Sequence, residues 1–168
     1  MMKRGATSVI KTVIFTVLVP GTVTVVVPRW LLASGSGAGA FNAGWLQILG
    51  VLLIALGASG YLWCAKDFAL AGQGTPAPTD PPRILVVRGL YRVVRNPMYT
   101  SVLLVLVGEG VLFGAWVLLA YAAVFWLAVH SFVLFYEEPA LQRRFGEVYE
   151  EYRRGVSRWI PHLPQRRT

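Results

Sequence analysis

Long apolar runs alternate with short polar stretches along this chain, and the pattern predicts a bundle of membrane-spanning helices. Four apolar segments, residues 9–27, 44–64, 98–113 and 115–136, are the predicted spans. A helix needs about 20 residues to cross roughly 30 Å of hydrocarbon, so the third segment is short for a span. Very little polar sequence separates the third and fourth segments around Gly114, which predicts a tight helical hairpin there.

Two polar regions remain, a loop at residues 66–97 and a tail at residues 137–168. Four prolines between Pro76 and Pro82 exclude a regular helix in the middle of the loop. The tail carries apolar residues at three-to-four residue spacing, which predicts an amphipathic helix that ends at Pro161 and Pro164. Its predicted apolar face consists of Leu141, Phe145, Val148, Tyr149 and Tyr152.

Composition agrees with the pattern. Of the 168 residues, 55% are hydrophobic and 14% are charged, which is more apolar than a soluble domain of this size. We therefore predict an all-α integral membrane bundle that forms one domain over residues 1–168. A secretory signal peptide is the alternative interpretation of the first run, because a basic start and small residues flank it, although residues 9–27 are long for one.

Charge predicts the orientation. The net charge is +8, and of the 16 Lys and Arg residues only Arg29 falls on the other side of the membrane from the loop, the tail and the amino terminus. The positive-inside rule then predicts that both termini, the loop and the tail are cytoplasmic, in an inner or plasma membrane. Cations scattered beside apolar runs are typical of helix flanks, so we expect no nucleic-acid partner.

The end of the loop carries candidate chemistry. Asn96 precedes Pro97, which predicts that the third helix begins at Pro97 with Asn96 as its cap. Tyr91, Arg95 and Tyr99 are spaced by four, so a near-helical path presents two aromatic rings and a guanidinium together. The alternative interpretation is a capped membrane helix with snorkelling arginines.

Glu137 and Glu138 directly follow the fourth apolar segment. The carboxyl end of a helix disfavours negative charge, so we expect a cationic partner for these acids. They either pair with nearby arginines, or they receive the ammonium or sulfonium of a ligand while Arg95 receives its carboxylate.

Two further ionisable groups fall inside the apolar segments. His130 lies two helical turns before Glu137, and it is either functional or a neutral ring that is hydrogen-bonded to a neighbouring helix. Glu109 is expected near the far end of the third segment, within reach of water. No second histidine stands at ligand spacing, so no metal site is predicted, and the single Cys64 is interpreted as an inert packed thiol.

Several motifs follow one another between Leu85 and Pro161. They are Gly89-x-Tyr91-x-x-x-Arg95-Asn96-Pro97-x-Tyr99, then Glu137-Glu138-x-x-Leu141, then Phe145-Gly146-x-x-Tyr149-x-x-Tyr152, and finally Val156-x-Arg158-x-x-Pro161. Their order, their spacing and their position relative to the spans resemble the isoprenylcysteine carboxyl methyltransferase and phospholipid methyltransferase group of integral membrane enzymes.

This resemblance implies that the loop and the tail enclose S-adenosylmethionine and that a lipophilic acceptor, a lipid or another small molecule, reaches it through the bilayer. By similarity, the cofactor-binding residues are Leu90, Tyr91, Arg95, Asn96, Pro97, Tyr99, Glu137, Glu138 and Tyr152. Arg95 and Glu137 are the catalytic candidates, since Arg95 can orient a carboxylate acceptor and Glu137 or Glu138 can take a proton from an amine or a thiol. Asn96 replaces the histidine of the family, which argues against proton transfer at that position.

Two other functions stay open at this point. A membrane reductase of the sterol-reductase type places a similar turn and aromatic tail around NADPH. A noncatalytic membrane protein would use the basic loop to bind a partner or anionic lipid. The adjacent acids Glu137 and Glu138 and the four short spans favour the methyltransferase, but the identity of the acceptor and the oligomeric state are not predicted.

Overall fold

The computed structural model describes residues 14–35, 39, 43–71 and 84–161. Within these residues the chain is helical and contains no β-strand. The helices are α1 (Ile14–Ala33), α2 (Gly44–Ala71), α3 (Pro97–Leu112), α4 (Trp116–Phe145) and α5 (Glu147–Gly155). A single 3-10 turn, Gly89–Arg92, lies in the loop between α2 and α3.

The predicted all-α membrane bundle is confirmed. Helices α1, α2 and α4 are long and apolar enough to cross a membrane, and α3 is a shorter apolar helix of 16 residues. Large apolar side chains point outward, for example Leu52 at 60% and Val124 at 62% exposed, as expected for a surface that lipid covers. Helix α3 instead contributes Val102 and Leu106 to the core.

Helix α1 continues past residue 27, where the sequence predicted its end, and the predicted start at residue 9 lies outside the described residues. A π-helical turn at Thr22–Val26 follows Pro20, so that Pro28 falls at the start of the next α-helical segment, where proline is tolerated. The Thr24 hydroxyl donates to the carbonyl oxygen of Pro20 at 2.8 Å. The prolines therefore alter the helix locally without ending it.

The predicted boundary between the second span and the loop was wrong, because α2 continues through Lys66 and Asp67 to Ala71. Asp67 is only 9% exposed and has the Arg88 guanidinium at 3.9 Å. A carboxylate that has a cation nearby can stay within a helix, so polarity alone did not mark the end of α2. The predicted extended proline segment, residues 76–82, lies outside the described residues.

The predicted tail helix was also wrong in detail. Helix α4 runs through a π-helical turn at Val133–Glu137 to Phe145, and Gly146 then breaks the path with φ 52° before α5 begins. This conformation favours glycine, and it changes the register of the residues that follow. Tyr149 is therefore 2% exposed whereas Val148 is 63% exposed, so the two do not share one buried face, and α5 ends at Gly155, before Pro161.

Glycines bring α2 and α3 into close contact. A Cβ at Gly57 would lie 2.6 Å from the carbonyl oxygen of Ser101, and one at Gly50 would lie 2.7 Å from the backbone nitrogen of Leu112. Small residues let membrane helices approach this closely. The resulting van der Waals packing holds the helices together, because the hydrophobic effect does not drive helix association in lipid. These contacts hold α3 against α2 from Ser101 to Leu112.

Gly57→Ala is expected to destabilise the bundle by about 1–3 kcal/mol, because the added methyl group clashes with backbone that cannot move aside. Thermal unfolding in detergent measures the effect. Gly44→Ala is the matched control, because a Cβ at Gly44 meets nothing within 4 Å. Equal melting temperatures for the two variants would contradict the close packing.

The predicted hairpin is confirmed. Only residues 113–115 separate α3 from α4, and Gly114 has φ 60°. The two helices therefore run in opposite directions, and the start of α3 lies beside the late part of α4. This geometry brings the loop before Pro97 and the acids Glu137 and Glu138 to the same end of the bundle.

Candidate functional site

The 3-10 turn Gly89–Arg92 points Tyr91 into the bundle, where its side chain packs with Cys64 and Val86. Phe68 of α2 meets the Tyr91 ring edge-on at 5.5 Å between centroids. Gly89 has φ 54°, and a Cβ there would run into the Asp67 carboxylate, so glycine is required on both counts. Burial raises the pKa of the Tyr91 phenol well above its ordinary value, so the ring is neutral.

Asn96 occupies the cap position of α3 but does not cap it with its side chain, so that prediction was wrong. Its Nδ2 instead donates to the carbonyl oxygen of Arg158 at 3.2 Å. The Asn96 carbonyl accepts bonds from the backbone nitrogen and the hydroxyl of Thr100. Asn96 is 6% exposed, and it joins the loop to the tail.

Glu138 is the centre of an ion cluster. Arg158 binds it with two hydrogen bonds, from Nε to Oε1 at 2.7 Å and from Nη2 to Oε2 at 2.9 Å. The Nη1 of Arg95 lies 3.1 Å from the same Oε1, and the side chains of Arg95 and Glu138 are each 9% exposed. For Glu138, the expected pairing with nearby arginines is confirmed.

Glu137 has a different environment. Its Oε2 accepts a hydrogen bond from the Tyr99 hydroxyl at 3.1 Å, and no ion pair with a cation of the described residues involves it. Successive residues of a helix point about 100° apart. Two adjacent acids therefore have separate roles, one paired with cations and one left with a neutral donor.

The tail covers the loop. The segment of residues 156–159, which we call the clasp, forms an isolated parallel bridge between Ser157 and Val94. The backbone nitrogen of Arg95 donates to the Ser157 carbonyl at 2.8 Å. From α5, the Tyr152 hydroxyl donates to the Tyr91 carbonyl at 2.7 Å. The clasp and α5 thus hold the backbone of the loop from outside.

His130 fastens the clasp to α4. The Trp159 Nε1 donates to the His130 Nδ1 at 3.1 Å, and Trp126 stacks on the imidazole with 5.1 Å between ring centroids. A ring nitrogen that accepts a bond carries no proton, so the hydrogen of the neutral ring is on Nε2. The interpretation of His130 as a hydrogen-bonded structural group is supported, with the tail rather than a membrane helix as its partner.

A cavity of about 320 Å³ lies among α1, α2, α3 and α4, at the low end of the size range of small-molecule sites. Its polar wall contains five of the predicted site residues, namely Tyr91, Arg95, Asn96, Tyr99 and Glu137. Four others, Leu90, Pro97, Glu138 and Tyr152, do not line it. Glu138 pairs with Arg95, and Tyr152 donates to the Tyr91 carbonyl, so both hold residues of the wall without lining the cavity themselves.

The apolar wall was not predicted. Residues from all four apolar helices form it, namely Phe15, Val19, Pro20, Val23, Tyr61, Phe68, Met98, Val102 and Phe125. In the sequence they resemble lipid-facing residues. The one available signal was the spacing by four of Phe15, Val19 and Val23, which places them on one face of α1. A cavity with one polar and one apolar wall suits an amphiphilic ligand.

Arg95 has unused hydrogen-bonding capacity at this cavity. Its Nε is buried and has no partner among the described residues, although Nη1 contacts Glu138 and donates to the Tyr149 hydroxyl at 3.4 Å. A buried donor without an acceptor costs free energy, which an anionic ligand group would recover. In the same wall, Glu137 offers a carboxylate to a cationic group. Within the described residues, no group of three or more His, Cys, Asp or Glu side chains is placed to hold a metal ion.

The family model described as phospholipid methyltransferase matches residues 45–148, which is more than half of the chain. A search of the curated proteins found no match. The matched stretch contains the loop, α3 and α4, and it ends before Tyr152 and the clasp.

Proposed function

Because the chain belongs to the phospholipid methyltransferase family, we propose that it transfers the methyl group of S-adenosylmethionine to an amine-bearing lipid at the cytoplasmic face of the membrane. The family makes the protein a membrane methyltransferase. The observation that supports the finer statement is the cavity, where Arg95 and Glu137 share one wall and apolar residues of the bundle form the other.

The residues present fit S-adenosylmethionine. Arg95 would bind the carboxylate of its methionine portion, since the buried Nε needs an acceptor. The rings of Tyr91 and Tyr99 would lie near positive charge, which aromatic faces attract. When bound, the cofactor supplies a methyl group on a sulfonium, whose positive charge disperses as the methyl leaves.

In this proposal the protein mainly aligns the reactants. Methyl transfer is an in-line displacement, and holding the acceptor, the methyl group and the sulfur in line can supply roughly 7–11 kcal/mol of the barrier reduction. The clasp and α5 hold Arg95 and Tyr91 by their backbones, so the polar wall is fixed before any ligand arrives. The apolar wall excludes water from the reacting groups.

Glu137 supports an amine acceptor. An ammonium group must lose a proton before it can attack, and Glu137 is a carboxylate in the cavity wall that holds no cation among the described residues. A carboxylate acceptor would be repelled by Glu137, and the nearby Arg95 is already shared with Glu138. Glu137 would therefore attract the protonated amine and accept its proton, with Tyr99 holding the carboxylate in place.

The charge distribution supports a cytoplasmic site. The arginines of the loop and the tail, including Arg92, Arg143 and Arg153, lie at the end of the bundle that holds the cavity's polar wall, whereas Arg29 lies near the other end of α1. Cytoplasmic flanks of membrane helices are enriched in Lys and Arg. S-adenosylmethionine would reach the site from that side, and the lipid from the bilayer.

The direct test is transfer of a labelled methyl group from S-adenosylmethionine into phosphatidylethanolamine by the purified protein in nanodiscs, with the product identified by mass spectrometry. Thermal protection by S-adenosylmethionine and none by NADPH would separate this function from that of a reductase. Absence of both labelled product and thermal protection would overturn the proposal in favour of a noncatalytic membrane protein.

Glu137→Gln is expected to lower the turnover rate by about 100-fold or more, because the amide keeps the Tyr99 contact but cannot take a proton. The affinity for S-adenosylmethionine should change much less, which calorimetry measures on the same sample. Glu151→Gln, at an exposed position of α5, is the matched control and should retain full turnover. A Glu137→Gln enzyme with normal turnover would exclude Glu137 as the base.

A further inference from the structure

A second polar site lies far from the cavity, along α3. Glu109 follows Pro97 by twelve residues, which at 1.5 Å per residue places it about 18 Å further along the helix axis. Three exposed tryptophans, Trp30, Trp45 and Trp116, lie at the ends of α1, α2 and α4 near this level. Tryptophan is enriched where membrane meets water, so this end of the bundle lies at the opposite interface.

A groove of about 470 Å³ separates α1 from α3 at this end. Its lining residues are Val25, Pro28, Arg29, Leu32, Glu109 and Phe113. Those of α1 recur at three-to-four residue spacing, and Glu109 of α3 stands four residues before Phe113, which directly follows that helix, so each side of the groove is one helix face. The groove therefore carries one guanidinium and one carboxyl group, those of Arg29 and Glu109, among apolar side chains.

These two groups do not pair with each other. No ion pair of the described residues involves Arg29 or Glu109. The Oε2 of Glu109 is buried and receives no hydrogen bond from the part of the chain that the structure describes. This costs free energy that an incoming N–H group would recover. Arg29 is exposed, so its guanidinium is accessible to an anionic group.

We propose that this groove binds the headgroup of a phospholipid that carries a primary amine, in the leaflet opposite to the catalytic cavity. The ammonium contacts Glu109, the phosphate contacts Arg29, and the apolar side chains of Val25, Leu32 and Phe113 contact the acyl chains. This site does not depend on methyl transfer, since none of its residues lines the catalytic cavity.

Charge complementarity selects this ligand. An anionic lipid would satisfy Arg29 but would be repelled by Glu109. A soluble cation would satisfy Glu109 but would leave Arg29 and the apolar lining without contacts. Phosphatidylcholine has both charges, yet its quaternary ammonium has no N–H to donate to the buried Oε2 of Glu109. The groove should therefore prefer phosphatidylethanolamine to phosphatidylcholine, and both to phosphatidylglycerol.

Native mass spectrometry of the detergent-purified protein, without S-adenosylmethionine, tests this order with the three lipids. We expect phosphatidylethanolamine to bind at least tenfold more tightly than phosphatidylglycerol, and Glu109→Gln to remove at least 90% of that preference. Arg29→Gln removes the contact with the phosphate, which all three lipids carry, so it should weaken the binding of all three at least tenfold. Glu151→Gln and Arg143→Gln, both at exposed positions of the tail, are the matched controls and should bind the three lipids as the wild type does.

The catalytic cavity could bind the same lipid, so the titrations are repeated in the Glu137→Gln background. The groove is supported if Glu109→Gln lowers binding there as well, while labelled methyl transfer by Glu109→Gln alone stays at the normal rate in excess lipid. Equal binding of the three lipids, or unchanged binding by Glu109→Gln with a normal melting temperature, would overturn the proposal. In that case Arg29 only extends its guanidinium to the interface, and water donates the hydrogen bond to Glu109.

Discussion

Arg95→Ala is expected to weaken the binding of S-adenosylmethionine by about 100-fold while the protein remains folded. Removing one partner of a buried, charge-assisted contact costs about 2–5 kcal/mol, and tenfold in affinity corresponds to about 1.4 kcal/mol. The fold should survive because Glu138 keeps both hydrogen bonds from Arg158. Calorimetric titration measures the affinity, and the melting temperature without ligand reports the fold.

Two further variants sharpen this prediction. Arg92→Ala removes an exposed guanidinium from the same loop and should bind S-adenosylmethionine normally. Arg95→Lys keeps the charge but loses the planar fork that serves Glu138 and a ligand together, so its affinity should fall between those of the wild type and Arg95→Ala. An Arg95→Ala protein with wild-type affinity would remove Arg95 from the proposed cofactor site.

Glu138→Ala is expected to produce the largest loss of stability, about 3 kcal/mol. The substitution leaves the Arg95 guanidinium buried without a counter-ion, and such a loss costs about 3–5 kcal/mol when both partners are fully buried. We take the lower value because the Arg158 side chain is 28% exposed and water screens part of its charge. Thermal unfolding in detergent measures the change.

The same variant should loosen the clasp, because Arg158 anchors it to Glu138. Trypsin should then cleave after Arg154 and Arg158 faster than in the wild type, which mass spectrometry of the early fragments resolves. Glu151→Ala removes an exposed acid from α5 and serves as the control for both measurements. If Glu138→Ala melts and cleaves as this control does, the ion cluster does not stabilise the tail.

Much of the bundle could be predicted from the sequence, because the length and polarity of apolar runs determine which segments can enter a membrane. The four apolar helices and the hairpin at Gly114 follow from that constraint. The helix ends do not, because they depend on partners elsewhere in the chain. Asp67 stays within α2 next to Arg88, and Gly146 divides the tail into two helices through its φ of 52°.

The candidate site was predictable in part. The spacing of Tyr91, Arg95 and Tyr99 identified residues that do line the cavity. The different environments of Glu137 and Glu138 were not predictable, because adjacent acids look alike in a sequence and only the direction of each side chain separates them. Their roles in binding and catalysis stay predictions, and the variants above test them.

The bridge between Val94 and Ser157 has a consequence for biogenesis. The ribosome synthesises Ser157 and Arg158 after all four apolar helices, so the translocon receives the bundle before these residues can bind the loop. The apolar wall of the cavity thus assembles first, and the polar wall is held in place only when the clasp has been synthesised. During synthesis the membrane bundle can therefore form before its polar wall is held in place by the clasp.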